Sequence, residues 1–312
     1  SLVLAFMLCL SCVSALAAEA WTVTCPWAPS GVAAMVNQKA ASLSTTYSQD
    51  YVLVANAEKG DTATINSWLT KYTEADPQMC FIGEGMFGIT AILDPERMNF
   101  TYDDFEYVEN LYSSIFVASA RKELGLTSID ALKAYLEDGN QIMVGTNGAT
   151  GSEAFLAAAL IGAMGYGDQF YLIPYESAAE AAQAVARGEV DIAVSHQSQI
   201  LETWQQGGVD VFAAFDGEPI AQGPFKGVEG VGQYGYPYFR NRCFIFAKAG
   251  ADEQKIADLK ALYAQILTDE EMVDWLNNTM LLEADMMTEE EVIAHIDNVK
   301  NIVEEYYDLV AE

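Results

Sequence analysis

Apolar residues recur along the chain in two alternating rhythms. A short run of strand length, Ile142, Met143 and Val144, is followed by Phe155, Leu156, Ala159, Leu160 and Met164 at helical spacing. The same pairing opens at 21–26, which reads as a strand, and continues into a helix with Ala33, Val36, Ala40 and Leu43 on one face. A strand at 51–55, a helix from 62 to about 72 and a strand at 79–82 repeat it. This βαβαβ order belongs to a parallel sheet covered by helices. A long extended stretch at 106–119 breaks the rhythm, and alternation then restarts. Helices are predicted at 128–138, 151–164, 177–187 and 197–206, interleaved with strands at 141–146, 170–174, 190–195 and 209–214. Residues 215–239, rich in Gly and Pro, read as an irregular connection, 242–248 as a returning strand, and 252–267, 269–278 and 289–310 as terminal helices. Thr288 followed by Glu291 is a capping box for the last of these.

Two βα arrays joined by an extended crossing, with one strand returning late, predict an α/β protein of two lobes. Each lobe would be a mostly parallel sheet flanked by helices, with a ligand cleft between them. The expected boundaries are 21–112 with 239–312 for the first lobe and 113–238 for the second, with a hinge near 110–118 and 238–246. Ligands of open α/β sheets bind beyond the carboxyl ends of the strands. The loops at 26–31, 56–62, 83–88, 146–152, 174–178 and 195–198 all follow predicted strands. The loop 146–152 packs two Gly, two Thr, an Asn and a Ser into seven residues ahead of a helix, a geometry that aims N–H groups and hydroxyls at an anion. An ordinary βα turn explains that loop equally well when it is taken alone.

Charge narrows the field. With 45 Asp and Glu against 15 Lys and Arg, the net charge is −30, which argues against nucleic acid and anionic membrane surfaces as partners. No apolar run after residue 20 reaches the roughly 18 residues of a membrane span. Residues 1–20 read as part of a signal peptide, an apolar core ending in small residues at 14–18, so the protein is expected to be exported. Cys12 leaves a lipid anchor as a lesser alternative. Cys25, Cys80 and Cys243 then remain; buried free thiols are the expectation, with a Cys25–Cys80 bridge left open. No His, Cys, Asp and Glu spacing matches a metal site, and no cofactor is expected. Ser152 beside Glu153 lacks a nucleophile elbow or an identifiable base. Of the two histidines, His196 follows a strand, while His295 on the polar terminal helix is expected to be exposed.

Five segments taken in order carry a family resemblance: VTCPWAPSGVAAM, MCFIGEGMFG, FTYDDFEYVENL, VGTNGATGSEAFLAAAL and IPYESAAEAAQAVARGEVDIAV. Together they resemble the solute receptors of tripartite tricarboxylate transporters over about 21–248. The resemblance implies a two-lobed, type II-like periplasmic binding protein fold. It also implies a non-enzymatic monomer, periplasmic or envelope-associated, that closes on a small organic anion, commonly a carboxylate, and passes it to an integral membrane permease; the acidity of the chain leaves a neutral or zwitterionic solute open. Carried over by position, first-lobe ligand contacts would be Ala28, Pro29, Ser30, Gly31, Gly83 and Glu84. Second-lobe contacts would be Thr146, Asn147, Thr150, Gly151, Ser152, Tyr175, and Ser195 or His196. Members of the family often carry an Asp just inside the first helix, where Ala34 aligns here, so the role of that carboxylate is lost or moved. Glu84 reads either as a solvated side chain or as an acceptor for an amine. A ligand-presenting sensor of the same fold and an exported α/β enzyme are the rival readings.

Overall fold

The computed structural model describes residues 17–310. The first sixteen residues of the predicted export signal, with Cys12, lie outside the described residues. The first element is β1 (Glu19–Cys25), anchored where the Glu19 N–H donates to the Asp50 carbonyl at 2.7 Å and Lys255 pairs with the Glu19 carboxylate at 2.8 Å.

The first array folds as α1 (Val32–Tyr47), β2 (Tyr51–Ala57), α2 (Thr62–Lys71), β3 (Gln78–Gly83), a π-helical turn at Met86–Thr90, the short α3 (Ala91–Leu93) and β4 (Phe105–Ser114). The second folds as β5 (Phe116–Arg121), α4 (Ile129–Glu137), β6 (Ile142–Asn147), α5 (Ser152–Ala163), β7 (Phe170–Tyr175), α6 (Ala178–Ala186), β8 (Ile192–His196), α7 (Gln197–Gln205) and β9 (Val209–Ala214). The chain closes with β10 (Asn241–Lys248), α8 (Glu253–Leu267), α9 (Glu270–Asp274), α10 (Glu289–Glu305) and α11 (Tyr307–Val310). The strands form two five-stranded sheets, ordered β2-β1-β3-β10-β4 and β7-β6-β8-β5-β9.

Both sheets are mixed, which refines the expectation of mostly parallel ones. β10 runs antiparallel to β3 and β4, and β5 antiparallel to β8 and β9. These are the strands that follow a crossing between sheets. Neither is delivered by a βα crossover, so nothing forces it parallel to its neighbours. The first crossing takes one residue, Ile115, between β4 and β5. The return lands beside it, with Asn241 of β10 registered against Ser114 of β4. The two crossings between the sheets therefore lie side by side.

Helices cover both faces of each sheet. In the first, α1 and α8 bury Val36, Leu43, Leu259 and Tyr263 on one face, while Ile65, Trp68, Phe87 and Phe246 fill the other. In the second, α4 and α5 (Leu132, Leu136, Phe155, Leu160) and α6 and α7 (Ala181, Val185, Ile200) do the same. Alternation along the strands explains the thiols. Cys25 faces the α1 side of the sheet and Cys80 the opposite side, and all three of Cys25, Cys80 and Cys243 are free and buried.

The predicted capping box of Thr288 and Glu291 starts α10. The helix then does something its amphipathic pattern alone does not reveal. Val292 and Ile296 enter a core of the first sheet, whereas Val299 and Val303 enter the core of the second around α5. One apolar stripe at positions four, three and four apart therefore joins two cores. His295, expected to be exposed, is partly buried on this helix. Its Nδ1 lies 3.1 Å from the Arg242 guanidinium and its ring packs edge-on against Phe244. Burial, then the neighbouring Arg242 charge, lowers its pKa to about 3.

Candidate functional site

The strand-end loops of the two sheets face each other across a cleft of about 420 Å³. Of the residues expected to touch ligand, Ala28, Gly31, Gly83, Glu84, Asn147, Thr150, Gly151, Ser152, Tyr175 and His196 line it. Four others do not. Pro29 and Ser30 turn outward and are exposed, because the loop folds back to bond the Gly31 N–H to the Ala28 carbonyl at 2.8 Å. Thr146 is buried, its Oγ1 donating to the Gly148 carbonyl at 2.8 Å, where it braces the loop. Ser195 is fully buried outside the lining, since alternation along β8 gives the cleft to His196.

Glu84 is fully buried rather than solvated. Its carboxylate accepts from the Asn241 amide at 2.9 Å, from the Arg242 N–H at 2.8 Å and from Ser152 Oγ at 3.0 Å. Burial raises its pKa, and these donors work against the rise. The Ser152 hydroxyl at the start of α5 is therefore engaged with a side chain from the end of β3. Two further contacts span the cleft: the Arg97 guanidinium donates to Thr150 Oγ1 at 2.9 Å, and Lys59 pairs with Glu176 at 2.7 Å. Packing at the seam is close, since a Cβ on Gly85 would stand 2.7 Å from Ser152 Oγ. These three bonds tie the two sheets together across the cleft.

Glu153, next to Ser152, also lines the cleft and is only 6% exposed. Burial raises its pKa to about 7, with the nearby Glu84 and Asp61 charges adding to the rise while its own N–H and the Asn147 amide oppose it. Asp61 holds a positive φ of 51°, rare outside glycine. It pairs with Arg97 at 3.3 Å, and burial outweighs Arg97 in raising its pKa.

His196 packs its ring on Phe116, with centroids 4.6 Å apart, and its Nδ1 lies 2.7 Å from Ser114 Oγ. Burial lowers its pKa to about 3, so the ring is neutral and serves as a polar wall. Burial pushes the Cys25 thiol up to about 12 and the Cys243 thiol well above its ordinary range, so neither is a thiolate at neutral pH. Among the described residues no group of three or more His, Cys, Asp or Glu is placed to hold a metal ion, and no helix is long and apolar enough to cross a membrane. Aligned N–H groups, neutral polar walls and buried carboxylates equip the cleft to bind and orient a small molecule.

Sequence reasoning missed Asp61, Arg97, Tyr112, Glu153 and Asn241 as lining residues. Glu153 was within reach of it, adjacent to Ser152 in the first turn of α5. Tyr112 and Asn241 sit on strands at the crossings, where no loop motif marks them. Arg97 arrives from the turn after α3, remote from any strand end.

A family model described as the tripartite tricarboxylate transporter family receptor matches residues 49–302. No curated protein sequence matches the chain. Solved structures do resemble it. The malate-bound MatC from Rhodopseudomonas palustris superposes with a TM-score of 0.77 at 17% identity, covering 93% of this chain and 98% of that one. An adipate-bound R. palustris protein gives 0.81 at 15% identity, covering 93% and 96%. The periplasmic binding protein BugD gives 0.79 at 15% identity, covering 94% and 98%. At such identities the likeness is one of fold, the two-lobed α/β fold of periplasmic binding proteins.

Proposed function

We propose, from the premise that this chain belongs to the tripartite tricarboxylate transporter receptor family, that it is an exported receptor delivering its solute to an integral membrane permease. The lobes are residues 21–112 with 239–312, and 113–238. The solute is a small organic molecule bearing a carboxylate, as in the malate- and adipate-bound relatives of the fold. Its carboxylate meets the N-terminus of α1, where Val32 and Ala33 line the cleft and the first turn carries no acidic side chain. Asn147, Thr150, Gly151 and Tyr175 orient it from the opposite side.

One observation carries the reading: the cleft lies between two sheets joined at a double crossing, and three polar contacts bridge it. A solute touching both sides stabilises the closed state by its differential affinity. Ser152 donates to Glu84 instead of facing a base, and the Cys243 thiol in the cleft wall stays protonated, so the solute leaves chemically unchanged. Mass spectrometry of the small molecule that co-purifies identifies it. Hydrogen exchange should then slow in the 26–31 and 146–152 loops together when that molecule is added. Protection of one loop alone, or a chemically altered solute, would overturn the receptor reading.

A further inference from the structure

Six charged side chains line the cleft, and they do not balance. Lys59 and Arg97 are the cations; Asp61, Glu84, Glu153 and Glu176 are the acids. Each cation already has an acidic partner, Lys59 with Glu176 and Arg97 with Asp61. Arg242, whose N–H reaches Glu84, turns its guanidinium away to Asp285 at 2.7 Å and toward His295. Among the described residues Glu84 and Glu153 are left without a cation, and both are more than nine-tenths buried. Glu84 is at least held by four hydrogen bonds from three residues. Glu153 pairs with no cation, forms part of the cavity wall, and stands at the first turn of α5, where the sequence pattern points to an anion-binding end. That end is thus supplied with carboxylates by the protein itself. A purely anionic solute would meet two buried acids there with no cation between them, an arrangement that selects against it.

Resting on the receptor reading above, we infer that the solute also carries a protonated amine, seated against Glu153 and beside Glu84, so that the receptor takes zwitterionic amino-carboxylates in preference to dicarboxylates. The solute carboxylate then lies at the α1 end of the cleft and the ammonium at the α5 end, and closure buries a complementary pair at each pole. The groups acting on Glu153 are Glu84 from the end of β3, Asp61 from before α2, Asn147 from β6 and the protonated Cys243 thiol from β10, while Arg97 and the neutral His196 ring share the cavity lining. None supplies a positive charge free to replace the ammonium. With its pKa near 7, Glu153 is part-protonated in the empty cleft at neutral pH, and an ammonium beside it drives that proton off.

Calorimetry with matched pairs tests this on the full mature chain: glutarate against 5-aminopentanoate, adipate against 6-aminohexanoate, and succinate against aspartate. The amine-bearing member should bind about tenfold or more tighter in at least one pair. Its preference should grow between pH 6 and pH 8. Binding at pH 7, measured in two buffers of different ionisation enthalpy, should release a fraction of a proton. Glu153→Gln should erase the preference; the wild-type proton count stands independently of whether that variant folds. Equal or tighter binding of every dicarboxylate, affinity that rises as pH falls, or a co-purified solute without a basic nitrogen overturns the amine inference while leaving a solute receptor in place. Turnover of a probe, or protection of one loop only, removes the receptor reading itself.

Discussion

Glu153→Gln should make the protein more stable while making it a worse receptor. Glutamine keeps the shape and polarity of the side chain and removes the charge. In the folded chain burial lifts the Glu153 pKa from its ordinary 4.5 to about 7. A raised carboxyl pKa means that the folded state holds its proton longer than the unfolded state does. No stability is lost below pH 4.5, where both states are protonated. The penalty accumulates as pH rises from 4.5 through 7, and is complete above that. At about 1.4 kcal/mol per pH unit, it reaches on the order of 3 kcal/mol. The glutamine variant should therefore match wild type at pH 4 and exceed it by that amount at pH 8. With an unfolding entropy of roughly 2.1 cal/mol/K per residue over a chain of this size, this is about 5 °C in Tm. Scanning calorimetry of both proteins at unit steps from pH 4 to 8, without solute, reads the divergence directly. Parallel profiles across that range would show that Glu153 ionises in the fold as it does in water, and the electrostatic account of the cleft would fail. Such a trade of stability for binding is common where a site holds charge in reserve.

Ser152→Ala removes a buried donor from Glu84 and unfastens one contact across the cleft. Solute affinity should drop by about tenfold, and small-angle scattering should find the empty protein more open; unchanged values for both would deny the bond any part in closure. Gly85→Ala places a methyl 2.7 Å from the same hydroxyl, and should likewise weaken binding without lowering the yield of folded protein. Both histidines have their pKa lowered to about 3 by burial, so their stabilising neutrality is complete above 6.5 and is lost as pH falls toward 3. Their imidazole proton resonances should accordingly stay flat from pH 8 to 5, and a midpoint near 6.5 for either ring would place it in solvent. Expressed with its natural leader, the mature protein should begin near Ala18 or Glu19. Intact-mass measurement decides this, a diacylglycerol on Cys12 or retention of the first 20 residues being the contrary results.

The alternation of apolar rhythms made the two-lobed fold legible, because strand and helix periods depend on local chemistry. The same holds for loop 146–152, whose small residues at a strand end mark close backbone approach. What the sequence hid were facts of pairing between distant segments. Nothing local says that Ser152 hands its hydroxyl to Glu84, or that β8 turns His196 and not Ser195 to the cleft. His295 looked exposed because its helix is acidic on most sides; its burial depends on where Arg242 and Phe244 come to lie. The antiparallel strands β5 and β10 escaped notice for the same reason. Direction within a sheet is set by the path of the connection, and a one-residue crossing leaves no composition signal.

Two strand crossings alone would make a swivel with little preference among angles. Because α10 is fixed by Val292 and Ile296 at one end and by Val299 and Val303 at the other, it behaves as a rod clamped in two blocks. Opening must bend the rod or drag apolar side chains, each worth roughly 1.5–3 kcal/mol when buried, out of one block. The motion therefore has a rest position and a restoring torque. The empty protein samples a bounded range of gape and springs back, and the stiffness of a single helix sets how far and how fast the cleft opens.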